Sequence, residues 1–160
     1  MLSRGLRGVE LDSLQVEGES EVGGPATAVY GMRVQLARKD GPQLFLPASL
    51  VPQNLSRRWA ERAERTLPLL VDAAETQTTR SEIALPEGFH LRSPPPPVAL
   101  RTPYGELAWS VHEQRGRLVM EEAFAMPQQR VAPAQYAGFA EFARRVDEVE
   151  SQDLVLVGPR

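Results

Sequence analysis

The sequence predicts a mainly β protein: an antiparallel β-sandwich with one C-terminal amphipathic helix at about residues 133–150 and a final strand. Three observations carry this prediction. Apolar and polar residues alternate along several short segments, as they do in half-buried strands. Turns that contain Gly or Pro separate these segments at intervals typical of all-β proteins. One late segment instead spaces its apolar residues by three and four, which is the helical period.

A strand hairpin and the helix that follows it form the clearest part of this pattern. Residues 107–112 alternate, residues 114–117 supply a turn that contains Gly116, and residues 118–126 continue the alternation on a return strand. Pro133 ends the strand pattern and suits a first helical turn, because proline cannot donate a backbone hydrogen bond. The predicted apolar stripe of the helix consists of Tyr136, Phe139, Phe142, Val146 and Val149.

The N-terminal part predicts two further strands and a hairpin. Residues 9–16 alternate with one slip of parity at Asp12-Ser13, which a β-bulge explains. Residues 26–36 predict a long strand, and a turn at residues 38–41 leads to a return strand at residues 44–46. We predict a single domain over residues 1–160, in which the polar loop near residues 18–25 is the only plausible internal boundary.

The middle of the chain predicts one long strand and a rigid connector. Residues 67–85 are rich in Thr and predict a strand with a loosely specified centre. The four prolines at residues 94–97 form an extended segment, which we interpret as a connector between strands rather than as a ligand for a proline-binding module. Residues 153–157 are apolar and β-branched, and they predict the final strand.

Residues 54–65 predict a short helix that Asn54 or Ser56 would cap. Its mixed charges at spacings of three and four are typical of a solvated surface helix. The alternative is an interaction patch at Arg57, Arg58 and Trp59, which are the candidate site residues of this chain. That alternative requires Trp59 to be exposed.

The composition excludes several classes of partner and site but does not assign a function. The net charge of −3 gives no electrostatic reason to expect nucleic acid or an anionic membrane as a partner. There is no Cys, which excludes disulfides, thiolate metal sites and a cysteine nucleophile, and leaves the compartment open. No signal peptide is visible in this chain, and no apolar run approaches the length of a membrane span. We expect no cofactor.

The titratable residues do not form a known catalytic motif. His90 and His112 lie within strand patterns and lack the spacing of metal ligands. Glu121 and Glu122 are adjacent on a strand and therefore point to opposite faces. We expect Glu122 to face inward and to form an ion pair with Arg144 or Arg145. The chain is therefore predicted not to be an enzyme, and a hydrolase built on two aligned carboxylates remains the alternative.

Several segments together resemble a known domain, and their order is what carries the resemblance. They are Arg65-Thr66-Leu67-Pro68-Leu69, Leu85-Pro86-Glu87-Gly88-Phe89-His90-Leu91, the prolines at 94–97, Val131-Ala132-Pro133-Ala134-Gln135-Tyr136, the Tyr136, Phe139, Phe142 stripe and the closing strand. This order resembles the C-terminal β-sandwich domain, itself of unknown function, of bacterial transglutaminase-like multidomain proteins. The resemblance extends over residues 65–157 and continues through residues 9–55.

The resemblance implies a non-catalytic accessory domain that packs against, or orients, a transglutaminase-like core in the same chain or in a separate one. The Cys-His-Asp triad of that core would lie upstream, and no residue of this Cys-free chain takes its roles. Such parent proteins are usually exported, which implies the periplasm or cell envelope. The alternative is an autonomous peptide- or glycan-binding module that uses an edge strand or the aromatic residues Trp59, Trp109 and Tyr104. Neither the ligand nor the oligomeric state follows from the sequence.

Overall fold

The computed structural model describes residues 7–17 and 27–159. Its strands are β1 (Arg7–Glu17), β2 (Thr27–Gln35), β3 (Arg38–Asp40), β4 (Gln43–Pro47), β5 (Leu69–Val71), β6 (Glu75–Ala84), β7 (His90–Leu91), β8 (Val98–Thr102), β9 (Gly105–Gln114), β10 (Arg117–Met126), β11 (Gln129–Val131) and β12 (Asp153–Val157). Its helices are α1 (Leu55–Trp59) and α2 (Tyr136–Ser151), and a single 3-10 turn (Pro133–Gln135) precedes α2. The boundary predicted near residues 18–25 lies outside the described residues.

The strands form antiparallel sheets. One four-stranded sheet has the order β6-β10-β9-β8, and a second has the order β3-β4-β12-β7. Two small sheets, β1-β2 and β11-β5, have two strands each. The predicted fold class, mainly β with antiparallel sheets, one C-terminal helix and a final strand, is therefore confirmed.

The hairpin of β9 and β10 is the centre of the first sheet. Its register is continuous from Arg117 opposite Gln114 to Ala125 opposite Glu106. The turn residues Arg115 and Gly116 have φ of 50° and 72°, the left-handed pair that a two-residue hairpin turn requires. Strand β10 also pairs with β6 along its full length without a register shift. This unbroken alternation fixes which side chains of β10 face inward.

Helix α2 lies on a single hydrophobic core that draws on both large sheets. Phe139 and Val146 are fully buried, and the Phe139 ring packs edge-on against Tyr104 with ring centroids 5.8 Å apart. The other buried core residues are Leu46, Ala48, Leu55, Leu69, Val71, Leu91, Leu107, Trp109, Val111, Leu118, Met120, Phe124, Met126, Val131, Tyr136, Phe142, Ala143, Leu154 and Leu156. The helical stripe predicted from the sequence therefore forms one wall of this core.

The helix predicted at residues 54–65 is much shorter than expected. Helix α1 ends at Trp59, and Ala60 has left the helical conformation with φ of −126° and ψ of 30°. Beyond it, the backbone carbonyl of Arg62 accepts a hydrogen bond of 2.7 Å from the Tyr136 hydroxyl. A tertiary contact with α2 thus takes the place of the helical hydrogen bonds that the local sequence favours.

The long strand predicted at residues 67–85 is two strands with different partners. Strand β5 pairs with β11, and β6 pairs with β10. Residues 72–74 connect them and belong to neither sheet. The Thr-rich pattern indicated strand structure correctly, but a local pattern does not specify which strand will be the partner.

The predicted pairing of the N-terminal strands is also wrong in part. Residues 38–40 are strand β3, not a turn, and the turn lies at Gly41-Pro42. Strand β4 therefore pairs with β3, whereas β2 pairs with β1. The bulge predicted at Asp12-Ser13 is confirmed by a register shift between Leu11 and Ser13.

Truncation of Phe139 tests whether α2 is docked as described. We expect Phe139→Ala to lower the free energy of unfolding by about 3 kcal/mol or more, because it leaves a cavity under the helix. Urea denaturation followed by circular dichroism measures this change. Leu70→Ala is the control, because Leu70 is 60% exposed and its truncation leaves no cavity. An equal effect of the two variants would mean that α2 is not docked on the core.

Candidate functional site

Two buried glutamates face each other between β10 and α2. Their side chains are almost fully buried, with Glu122 at 6% exposure and Glu150 at 2%. Glu122 is inward because it lies in register between Met120 and Phe124 on the buried face of β10. Glu150 is inward because it follows Val146 by four residues and so continues the apolar face of α2. The fold therefore places two acidic groups where an apolar pair would be expected.

Residues 48–54, which we call the 48–54 segment, cover this pair. The backbone N–H of Gln53 donates to both carboxylate oxygens of Glu150, at 3.0 Å each. The backbone N–H groups of Ser49 and Ala48 donate to the carbonyls of Glu150 and Gln152, at 3.2 and 3.0 Å. The segment is thus attached mainly to the last turn of α2.

The same segment is also attached to the sheet through Trp109. The indole Nε1 of Trp109 donates to the carbonyl of Ala48 at 3.0 Å. Trp109 lies directly opposite Glu122 in the β9–β10 ladder. The indole and the glutamate therefore mark the point where the 48–54 segment meets the central hairpin.

Burial governs the ionisation of the pair. Burial is the largest effect on Glu150 and raises its pKa to about 8. The charges of Glu122 and Asp147 also raise this pKa, whereas the hydrogen bond from the Gln53 N–H lowers it. Burial also raises the pKa of Glu122, and its polar neighbours Ser49, Glu150 and Gln53 act in the opposite direction. Neither oxygen of Glu122 has a hydrogen bond of good geometry, and neither does Gln53 Nε2. The arrangement can therefore hold a proton near neutral pH.

The expected ion pair of Glu122 with Arg144 or Arg145 does not form. Arg144 contacts Glu141 and lies 3.5 Å from Glu148, and Arg145 lies 3.3 Å from Glu148, all on the exposed side of α2. The helical period explains this, since Val146 and Glu150 occupy the inward face and residues 144 and 145 do not. Glu150 follows Val146 by four residues, so the same helical period that defined the stripe also places Glu150 on the inward face.

A third carboxylate of α2 caps the short helix α1. Asp147 Oδ1 accepts from the Leu55 N–H at 2.8 Å, and Oδ2 accepts from the Ser56 N–H at 2.9 Å. Asn54 occupies the predicted N-cap position, but the predicted side-chain cap is absent, because the Asn54 side chain instead donates to the Pro52 carbonyl at 2.9 Å. A residue distant in sequence replaces the local cap, which no local pattern could indicate.

The candidate interaction residues Arg57, Arg58 and Trp59 lie on α1 but do not point in one direction. Arg57 is exposed, and Arg58 bonds Glu75 through both terminal nitrogens at 3.2 and 3.0 Å. The Arg58 guanidinium is also 5.7 Å from the Trp59 ring centroid. Trp59 is half-buried against the core, and its Nε1 is buried without a hydrogen-bond partner. Arg57 and Arg58 line a groove of about 490 Å³ beside the 48–54 segment.

The other aromatic candidates are held within the fold. Trp109 is 2% exposed and has the hydrogen bond to Ala48 described above. Tyr104 is half-buried, and its hydroxyl donates to the Gln135 carbonyl at 3.0 Å. The Trp109 ring is therefore not accessible to a sugar.

No cluster of three or more His, Asp or Glu side chains that could hold a metal ion occurs among residues 7–17 and 27–159. Over the same ranges, neither helix has the length and apolar character that a membrane span requires.

Comparisons with known proteins place the chain in a structural context. The model of a protein family described as a domain of unknown function with a solved structure (DUF3858) matches residues 43–156. A solved structure from Parabacteroides distasonis ATCC 8503, described as a "putative protease", is similar with a TM-score of 0.53 and 11% identity. The likeness covers 60% of this chain and 19% of the other, so the matched part spans about a fifth of that protein. At this identity it shows a shared fold. Comparison with curated proteins finds no match.

Removal of the Asp147 carboxylate tests the cap on α1. We expect Asp147→Ala to lower the free energy of unfolding by about 1–2 kcal/mol, because two backbone N–H groups lose their acceptor. Amide hydrogen exchange at Leu55 and Ser56 should become faster in the same variant.

Glu148→Ala is the matched control, because Glu148 adjoins Asp147 but forms only exposed ion pairs. A similar loss of stability in both variants, with unchanged exchange at Leu55 and Ser56, would contradict the capping role of Asp147.

Proposed function

We propose that this chain, which belongs to the DUF3858 family of domains of unknown function, is a non-catalytic accessory domain that packs against, or orients, a transglutaminase-like core. The core would be part of the same chain or a separate one, and would supply its own Cys, His and Asp. By the same proposal, the parent protein works in the periplasm or cell envelope.

The observation that carries this proposal is the isolated hairpin of β1 and β2. Within residues 7–17 and 27–159 the two strands pair only with each other, and they lie before the residues that match the family. They have at most marginal contact with the other described strands and helices. A two-stranded hairpin without a supporting layer is marginally stable in water. A surface supplied by another domain would give this hairpin the packing that it lacks.

The side chains of the hairpin support the same interpretation. Leu14 is 51% exposed and Val16 39% exposed, and strand alternation puts them on one face. Val29 is 55% exposed and pairs with Gln15, so it lies on the opposite face. Leu14 and Val16 thus give one face of the hairpin an exposed apolar pair that another protein could cover.

The structural neighbour also supports an accessory role. Its matched part forms 19% of a much longer chain that is described as a putative protease. A fold of this kind therefore occurs as one portion of a longer protein, which is the setting that we propose here.

A second candidate function is the binding of an extended peptide at β6. This strand is at the edge of its sheet and pairs with β10 over residues 75–84 without a register shift. Regular edge strands present free backbone groups to which a peptide strand can add. Protection of the β6 amides from hydrogen exchange by a bound peptide would favour this candidate over the accessory role.

The accessory role is tested by removing the apolar face of the hairpin. The core encoded in the same or an adjacent reading frame is produced separately, and its affinity for this chain is measured by calorimetry. We expect Leu14→Ser with Val16→Ser to weaken binding by about tenfold or more, because two apolar contacts are lost. Gln15→Ser is the matched control, since it changes the same strand without removing apolar surface.

Wild-type affinity of the double variant would exclude the hairpin face as the interface. The absence of any Cys-His-Asp core in the parent reading frame and its neighbours would overturn the accessory role itself.

A further inference from the structure

We infer that Glu122 and Glu150 together form a proton-binding site that keeps the 48–54 segment and the last turn of α2 closed over strand β10. When the shared proton leaves, the segment and this turn separate from the strand and water enters between them. The inference does not depend on the proposed accessory role, because the site lies inside the chain and away from the β1–β2 hairpin.

The first support is that the two carboxyl groups are buried together without a cation. They come from different elements, Glu122 from β10 and Glu150 from α2, and are 6% and 2% exposed. The charged group that acts on them besides each other is Asp147, which is also acidic. Two adjacent buried carboxylates repel each other and lose their hydration, so one of the two retains a proton.

The second support is the set of unused hydrogen-bonding atoms at the pair. Neither oxygen of Glu122 has a hydrogen bond of good geometry, although the residue is nearly fully buried beside Ser49 and Gln53. A protonated carboxyl group is a donor as well as an acceptor, so one proton between Glu122 and Glu150 would supply the missing bond. The proton belongs to the pair rather than to either residue.

The remaining surroundings of the pair are neutral. The 48–54 segment contributes Ser49 and Gln53, which carry no charge. Strand β6 contributes Thr79 and Ser81, and β9 contributes Trp109; together with Ser49 they line a void of about 10 Å³ beside Glu122. These groups do not replace the charge compensation that a Lys or Arg would provide.

Charged residues of α1 and of the last turns of α2 have other partners. Arg58 of α1 bonds Glu75. Asp147 is occupied by the N–H groups of Leu55 and Ser56. Proton loss is therefore not compensated by a rearranged ion pair among these groups, and opening of the contact is the available response.

The hydrogen bonds show where the contact would open. The Gln53 N–H donates to the Glu150 carboxylate, and this bond is strengthened when Glu150 is charged. The 48–54 segment therefore stays with α2, and the weak boundary is the one with β10. Trp109 spans that boundary through its bond to Ala48, so its indole would report the opening.

The direction of the pH effect follows from the raised pKa. Because burial raises the pKa of Glu150 to about 8, the folded state binds more protons than the unfolded state from about pH 4.5 to 8. Stability then falls as pH rises through this window. For the release of one proton, the folding equilibrium constant falls by up to about tenfold per pH unit.

The test uses Trp109 as a reporter in the full chain with Trp59→Phe, which removes the other indole. Urea unfolding and Trp109 emission are measured from pH 5 to 9. We expect emission to shift to the red and the folding equilibrium constant to fall as pH rises. Glu150→Gln and Glu122→Gln should each flatten both curves, whereas Glu148→Gln, exposed on the same helix, should leave them unchanged.

A titration of the wild-type side-chain carboxyl carbons by NMR needs no variant and gives an independent result. One carboxyl group with a midpoint near neutral pH or above would support the site, and ordinary midpoints for both Glu122 and Glu150 would overturn it. The inference is also overturned if Glu150→Gln and Glu122→Gln show the same pH dependence as Glu148→Gln. It is likewise overturned if Trp109 emission stays constant while stability falls.

Discussion

The packing of helix α2 on the sheets is the interaction on which the rest of the structure depends. Phe139 and Val146 supply fully buried surface to the core, and Tyr136 bonds the chain beyond α1 at Arg62. Asp147 caps α1, and Glu150 holds the 48–54 segment. One helix thus provides the apolar contacts that stabilise the domain and the polar contacts that order the irregular segments around it. A change in the position of α2 would therefore disturb all of these contacts together.

The sequence predicted the elements of the fold better than their partners. Strict alternation gave the β9–β10 hairpin, its turn at Arg115-Gly116 and the bulge near Asp12-Ser13, because these features depend on neighbouring residues. The division of residues 67–85 into β5 and β6, and the pairing of β2 with β1, depend on contacts between distant segments. A period-two pattern states which face is buried but not which strand lies alongside.

The candidate site shows the same limit. The inward direction of Glu122 followed from strand parity, but its partner Glu150 was missed because an acidic residue at the end of an apolar stripe looks like a solvated helix end. The charges of Arg57 and Arg58 were visible in the sequence. The sequence could not predict that Trp59 packs against the core or that Arg58 bonds Glu75, because both contacts depend on the fold.

The place of β12 within its sheet has a consequence for synthesis of the chain. This strand lies between β4 and β7, so residues 43–47 and 90–91 have no common neighbour until residues 153–157 leave the ribosome. The second large sheet must then assemble late, through contacts of high sequence separation, which slow folding. Leu46 and Leu91, which are buried in the complete fold, both lie opposite residues of β12, so truncation before β12 would remove a strand neighbour from each of them.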